Sequence, residues 1–240
     1  MKFVLAGAGL RCEHLNERVK RAILEAEEVW VDTYTSPFPG GLLNCVKGVR
    51  EDALEADRSV LEGPFRFSKS VTLVVPGDPM AATAHSALLL EARRRGYSVQ
   101  IISNVSALQA ARSKSGLSQY RFGKVVTLMY PKEGISFTES VYNVIKDNDS
   151  MNLHTIVLLE TGYGRDMTVP EAARLLCEYE ELCDRRAIAM ARLCWDDETI
   201  KVAKLRELAE SDLGGPPHLL VFPSPKLHPI EEEFIEAVLK

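Results

Sequence analysis

The residues able to do chemistry in this chain gather in four short segments of glycine, proline and small polar residues: Gly7-Ala8-Gly9-Leu10, Tyr34-Thr35-Ser36, Pro76-Gly77-Asp78-Pro79 and Asn104-Val105-Ser106-Ala107. Segments of this type let a ligand come close to the main chain. Gly7-Ala8-Gly9 opens like a dinucleotide-binding turn, but the G-x-G-x-x-G pattern needs Gly or Ala at position 12, where the chain has Cys12. A tight strand-to-loop turn accounts for the two glycines equally well. No G-x-x-x-x-G-K-[ST] phosphate loop and no G-x-S-x-G nucleophile elbow occurs, so phosphoryl transfer and serine hydrolysis drop out. In 76–79 two roles are compatible: Asp78 caps a helix whose first residue is Pro79, and the same helix start offers a carboxylate and free N–H groups to a polar ligand. The five histidines, His14, His85, His154, His218 and His228, form no H-x-x-x-H or H-E-x-x-H pair, so no metal centre is expected and each reads as structural when taken alone. His218 stands apart, because it lies between Pro216-Pro217 and the apolar run 219–222, at a strand entrance where a ring nitrogen can meet a ligand.

Each of the four segments follows a strand-like run, and in open α/β sheets ligands bind beyond the carboxyl ends of the strands. Strands are predicted at 3–6, 29–31, 71–75 and 99–102. A helix carries Val19, Ala22, Ile23 and Ala26 at helical spacing, and a second runs from Pro79 to about Arg95 and closes at Gly96. The polar stretch Arg112-Ser113-Lys114-Ser115-Gly116 divides the chain into an N-terminal α/β domain, 1–113, and a C-terminal α/β domain, 114–240. Beyond it, strands are predicted at 125–128, 154–159, 187–193 and 219–222. Phe137, Val141, Val144 and Ile145 mark one helix, and Thr168 with Glu171 gives the capping pattern of another. A final helix is read with Ile230, Phe234 and Val238 inward and Glu231, Glu232, Glu233 and Glu236 in solvent. The alternation of strand and helix predicts mostly parallel or mixed sheets covered by helices.

The chain has 240 residues, 46% hydrophobic and 26% charged, an ordinary globular composition. Its net charge of −5 gives no electrostatic reason for a polyanionic partner, so direct binding to nucleic acid is not expected. No run approaches the about 20 apolar residues that span a bilayer, and no signal-peptide core follows Met1, so a cytoplasmic protein without membrane association is the expectation. Cys12, Cys45, Cys177, Cys183 and Cys194 contain no C-x-x-C pair and are read as reduced thiols, although disulfides do persist inside some hyperthermophiles.

From Pro76 through Met80-Ala81-Ala82-Thr83-Ala84 to His85 the sequence resembles the tetrapyrrole-methylase superfamily, and within it the diphthine synthase family. The resemblance extends, in order, to Tyr34-Thr35-Ser36, Gly116-Leu117 with Tyr120-Arg121-Phe122-Gly123-Lys124, Leu153-His154-Thr155, and Gly215-Pro216-Pro217-His218 with Lys226-Leu227-His228. It implies two α/β domains with S-adenosylmethionine in the cleft between them, S-adenosylhomocysteine as product, and a homodimer. It implies trimethylation of the amino group on the modified histidine of translation elongation factor 2, the diphthamide precursor, in an archaeal-type enzyme. Carried over by motif, the cofactor contacts fall at Leu10, Asp78, Ala81, Ser106, Ala107, Leu159, Leu193 and His218. Ala81 and Ala107 replace larger aliphatics of the family, Leu193 replaces a small residue, and the region between Ser36 and Val49 is shortened. No catalytic residue is assigned. Methyl transfer to a corrinoid precursor or to ribosomal RNA, and cofactor binding without turnover, are the alternatives.

Overall fold

A computed structural model describes residues 1–83, 85–162 and 164–239. Ala84, part of the matching stretch from Pro76 to His85 and of the helix predicted there, lies outside the described residues. The chain divides into two compact units, Met1–Ala107 and Leu108–Lys240, each with its own five-stranded sheet. The α/β class with parallel and mixed sheets is borne out. Among the described residues no helix is long and apolar enough to cross a membrane.

The first unit contains β1 (Lys2–Gly7), α1 (Glu17–Glu25), β2 (Glu28–Asp32), α2 (Leu42–Lys47), β3 (Leu54–Ala56), α3 (Arg58–Leu61), β4 (Val71–Val75), α4 (His85–Arg94) and β5 (Ser98–Ile102). Its strands lie in the order β3-β2-β4-β1-β5, and every pairing is parallel. Alternation along the strands sorts the side chains into two apolar layers. Phe3 and Leu5 pack with Phe67, Leu73, Leu89 and Tyr97 on one face, while Val4 and Ala6 pack with Val19, Ile23, Val31 and Val74 on the other. Helix α1 starts at Asn16, whose side chain accepts the Val19 N–H at 3.0 Å, an ordinary cap.

The helix expected from Pro79 begins at His85 instead. Asp78 Oδ1 accepts the Met80 N–H at 2.9 Å and so closes a local turn. Ala82 then takes a left-handed φ of 54°, which no helix continues through. The cysteines are also corrected. Cys12 pairs with Cys45 and Cys177 with Cys183 in disulfides, with Cα separations of 5.4 and 4.8 Å, while Cys194 stands outside both. Folding brings the end of the β1 loop onto α2, a proximity that spacing along the chain does not record.

The second unit follows helix α5 (Ala107–Lys114), which spans the division. It contains β6 (Val126–Leu128), α6 (Thr138–Ser150), β7 (Thr155–Leu159), α7 (Val169–Leu176), α8 (Glu180–Cys183), β8 (Arg186–Ala191), β9 (Thr199–Lys204), α9 (Leu205–Leu208), β10 (His218–Phe222) and α10 (Pro229–Val238). The order is β6-β7-β10-β8-β9, with β6 and β7 parallel and the other pairings antiparallel. Leu128, Val157, Ala189 and Leu220 pack against Val141 and Ile145 of α6 and Ala172 and Leu176 of α7. Thr168 and Glu171 form the expected capping box of α7.

Helix α10 is turned relative to the pattern reading. Ile230 and Val238 are exposed, whereas Ile235 and Glu231 are buried. Glu231 faces inward because it anchors a polar network: Oε1 accepts the Ser118 N–H at 2.8 Å and lies 3.1 Å from His154 Nε2, and Oε2 accepts from Arg121 Nη1 at 2.6 Å and from the His228 N–H at 2.8 Å. Arg121 also donates to Ser224 Oγ and to the carbonyls of Asn152 and Lys226. Phe122 sets its ring edge against fully buried His154 at a centroid distance of 5.2 Å, and a Cβ on Gly123 would fall 2.2 Å from Asn148 Oδ1. Three of the sequence segments that mark the family, 120–124, 153–155 and 226–228, thus meet in one structural clamp on α10.

Burial alone would raise the Glu231 carboxyl, but the His228 and Ser118 N–H groups and His154 hold it below its usual range. Burial lowers His154, and the Ser224 N–H donating to Nδ1 at 2.9 Å keeps that nitrogen a lone-pair acceptor, so the ring is neutral with Nε2–H toward Glu231. Glu231→Ala strands these donors and leaves the Arg121 charge without its carboxylate. A loss of about 3 kcal/mol or more in denaturant unfolding is the expected outcome. Because the folded ring titrates below the unfolded value of 6.5, the unfolded chain binds more protons as pH falls through that value. Stability from this site is therefore fully present above pH 6.5 and declines as pH falls below it; denaturation series at several pH values below 6.5 are expected to give a shallower slope for His154→Gln than for the unmodified chain.

Candidate functional site

In the parallel sheet of the first unit neighbouring strands send their connections to opposite sides. The chain leaves β1 toward β2 and leaves β4 toward β5, so the adjacent strands β1 and β4 send their connections opposite ways and open a crevice beyond their carboxyl ends. Two of the sequence segments close around that crevice. Gly9 N–H donates to the Gly77 carbonyl at 3.0 Å and Gly77 N–H to the Gly9 carbonyl at 2.8 Å, an isolated two-residue bridge between the exits of β1 and β4. Gly9 has φ +72° and Gly77 φ +68°. A Cβ on Gly9 would stand 2.4 Å from His14 Cβ, and one on Gly7 would stand 2.5 Å from the Gly77 carbonyl oxygen. The glycines are required by this close approach as well as by the turn.

Asn104, at the exit of β5, ties the crevice together. Its amide donates to the carbonyls of Gly7 and His14, both at 2.9 Å, its Oδ1 accepts the Val105 N–H, and its own N–H donates to Asp78 Oδ2 at 3.1 Å. Asp78 therefore bridges two strand exits, with Oδ1 on Met80 N–H and Oδ2 on Asn104 N–H. Leu10 N–H donates to His14 Nδ1 at 3.1 Å, Ala81 N–H donates to the Asp78 carbonyl at 3.2 Å, and Ser106 Cα lies 3.8 Å from the point a Gly77 Cβ would occupy. Leu10, Asp78, Ala81, Ser106 and Ala107 thus sit together on the exits of β1, β4 and β5. Asn104 and His14 were not singled out in the sequence; an Asn directly after a strand, within a segment already marked, was the available signal for the first.

In the second unit, Leu159, His218 and Leu193 occupy adjacent strand ends. Leu219 pairs with Leu158 and His218 with Ala191, so the end of β7, the start of β10 and the end of β8 lie at one edge. Leu193 follows two residues after β8, between Arg192 and Cys194, both with positive φ. All three are buried. His218 Nδ1 accepts the Val169 N–H at 3.0 Å, and Nε2 donates to the Gly215 carbonyl at 3.1 Å. Burial lowers its pKa, consistent with a neutral ring. Both ring nitrogens are engaged within the protein, which corrects the expectation that one of them is open to a ligand; the side chain caps α7 and holds the 215–218 turn. Among the described residues no cluster of His, Cys, Asp or Glu suits a metal ion.

The arrangement has the attributes of a site for a polar small molecule read through main-chain groups: small residues, a topological switch point and carboxylate-braced loops. Comparison with known proteins agrees. The family model for tetrapyrrole (corrin/porphyrin) methylases matches residues 2–209. The diphthine synthase of Methanopyrus kandleri is 38% identical over 259 residues, covering 98% of this chain and 95% of the relative. That of Sulfurisphaera tokodaii is 33% identical over 250 residues, covering 98% of each. A crystal structure of a diphthine synthase superposes with a TM-score of 0.89 at 34% identity, covering 98% of this chain and 95% of the other. A match that runs through both units places this chain in the diphthine synthase family of tetrapyrrole methylases, as a methyltransferase.

Proposed function

We propose that the chain transfers methyl groups from S-adenosylmethionine to the amino group of the modified histidine of translation elongation factor 2, three times, giving diphthine. The observation that carries this reading is the crevice at the β1–β4 switch point, whose glycine bridge and small residues leave the main chain approachable while family membership supplies the reaction class. The cofactor contacts proposed are Leu10, Asp78, Ala81, Ser106 and Ala107 from the first unit and Leu159, Leu193 and His218 from the second. The residues fit such a ligand: Gly7 and Gly9 let the strand exits pack directly on Gly77 and His14, and Asp78 spends one oxygen on each of two loops to hold them still. At His218 the contact is through main-chain or ring carbon atoms, since both nitrogens are occupied.

When bound, the sulfonium cofactor supplies an already activated methyl group, so displacement by an amine needs alignment and a free lone pair. The protein's share is geometric. Asn104 and the Gly9–Gly77 bridge fix three strand exits relative to one another, and Asp78 locks the turn that leads from β4 to Thr83 and His85. The domain joint is proposed at residues 113 and 114, the protein is proposed to act as a cytoplasmic homodimer, and elongation factor 2 is proposed as its protein substrate.

Mass spectrometry of elongation factor 2 carrying the aminocarboxypropyl-histidine precursor, after incubation with this protein and S-adenosylmethionine, is expected to show additions of methyl units on that one residue, ending at three. No addition, with cofactor binding confirmed in the same sample, would move the assignment to another methyl acceptor or to binding without turnover. Asp78→Arg places a long cation where a carboxylate bridges two loops, and calorimetric titration is expected to show at least a tenfold weaker cofactor affinity, about 1.4 kcal/mol. Full affinity and full activity in that variant would refute the placement of the cofactor.

A further inference from the structure

Four of the five histidines do the same structural job. His14, His154, His218 and His228 each accept a main-chain N–H at Nδ1, from Leu10, Ser224, Val169 and Ile230 respectively. His85 does not. Its Nδ1 lies 2.7 Å from the Thr83 hydroxyl, and its buried Nε2 has no hydrogen-bond partner among the described residues. The nearest acceptor to Nε2 is Asp32 Oδ2 at 3.4 Å. Asp32 is fully buried and fixed in place: Oδ1 accepts the N–H groups of Tyr34 and Thr35, each at 2.9 Å, and Oδ2 accepts the Thr35 hydroxyl. A carboxylate, an imidazole and a hydroxyl thus lie next to one another, ending at Thr83, which is only half-buried and whose Oγ also accepts the His85 N–H at 3.4 Å.

The three side chains stand beside the crevice. Asp32 ends β2, the strand next to β4 on the side away from β1, one residue beyond the Val31–Val74 pair. Thr83 ends the loop that leaves β4, and the residue before it, Ala82, holds the left-handed φ of 54°. A strained non-glycine backbone directly before a polar residue is the type of cost a fold carries where a side chain must be aimed.

We infer that Thr83, His85 and Asp32 form a proton relay for the acceptor amine. This rests on the methyl-transfer reading above and adds to it the group that receives the proton. In this relay the resting ring carries its proton on Nε2, the nitrogen 3.4 Å from Asp32 Oδ2, and the Thr83 O–H donates to Nδ1. When the acceptor's ammonium group donates to Thr83 Oγ, its proton passes to that oxygen while the Thr83 proton passes to Nδ1, leaving a neutral amine and an imidazolium. The imidazolium then has two acceptors already in place, Asp32 Oδ2 at Nε2 and the Pro79 carbonyl 3.3 Å from Nδ1. The freed lone pair forms the N–C bond as the methyl C–S bond breaks with its electrons left on sulfur. The stored proton returns to solvent through Thr83, so three transfers release three protons. Thr83 is the residue in contact with the amine, and His85 and Asp32 act through it.

The test compares Thr83→Val, Thr83→Ser and His85→Gln with the unmodified protein. Methyl additions to the precursor-bearing elongation factor are timed at saturating cofactor, cofactor affinity is measured by calorimetry, and the side-chain nitrogen shifts of His85 are read by NMR on histidine labelled with nitrogen-15. Val and Gln are expected to lower kcat by roughly 100-fold, the low end for a lost acid–base group. Cofactor affinity is expected to stay within about twofold, mono- and dimethylated species to accumulate, and Ser to restore the rate. The nitrogen shifts are expected to show an Nε2–H tautomer that Thr83→Val disturbs. Unchanged kcat in Thr83→Val, an Nδ1–H tautomer at rest, or a rate loss that only tracks lost cofactor binding would overturn the relay. If His85→Gln fails to fold, the valine and serine pair decides alone. Absence of any transfer by the unmodified protein with cofactor bound would instead overturn the methyl-transfer reading, and the relay with it.

Discussion

Two reciprocal main-chain hydrogen bonds between Gly9 and Gly77 hold together the place on which the rest of the first unit depends. A parallel sheet offers a ligand the space beyond its strand ends where neighbouring connections run to opposite sides, and beyond the last paired residues the two strand exits have no reason of their own to stay close. The bridge supplies that reason at no cost in side-chain volume, but it dictates the residues around it. Gly7 must lack a Cβ because the Gly77 carbonyl is too near, Gly9 must lack one because His14 is, and Asn104 must present both a donor and an acceptor to serve Gly7, His14 and Val105 at once. The disulfide from Cys12 to Cys45 secures the same loop from its far end, against α2.

The second unit solves a different problem. Its sheet is mixed, and its closing helix α10 is pinned by a buried carboxylate instead of by an apolar ridge alone. Breaking such a cluster costs more than an average surface pair, because every member left behind is a desolvated donor. This explains what two of the segments that carry the family resemblance, Tyr120-Arg121-Phe122-Gly123-Lys124 and Leu153-His154-Thr155, do in the structure. They build the clamp, with Arg121 reaching α10 across 110 residues of sequence. A shared motif in this fold is as much a statement about assembly as about chemistry.

What the sequence disclosed follows from how local each signal is. The strands of the first sheet were legible because β4 is apolar but for Thr72 and β1 nearly so, and the capping box of α7 because Thr168 and Glu171 are three residues apart. Pro76-Gly77-Asp78-Pro79 misled because a helix cap and a two-residue carboxylate turn use the same residues; only the backbone at Ala82 distinguishes them. The glutamates of α10 gave a solvent face by periodicity, and Glu231 is buried because of Arg121 and His154, which no window of one helix contains. Strand β9 carries Lys201 and Lys204, the charges that protect an exposed sheet edge, and they masked its alternation. Of the site, the strand-exit segments were visible as small-residue runs, but the Asp32–His85 pair joins residues from different strand exits and belongs to the fold alone.

The chemistry of the amine explains why a hydroxyl backed by an imidazole suits this site better than a carboxylate placed directly at the nitrogen. A carboxylate facing an ammonium stabilises the charged form, since an opposite charge within a few ångströms favours ionisation, and so holds the lone pair out of reaction. A neutral hydroxyl makes no such demand; it accepts a proton on one side only as it gives one up on the other, and the charge comes to rest on a ring whose partners are already in place. The same arrangement bears on repetition. After the first and second transfers the nitrogen still carries a proton that must leave before it can react again, whereas after the third it carries none. The relay then has nothing to accept, and a fixed positive charge faces Thr83, which offers no anion to retain it. If the proposed relay acts on the proposed substrate, successive methylation and release of a trimethylated product follow from these three side chains.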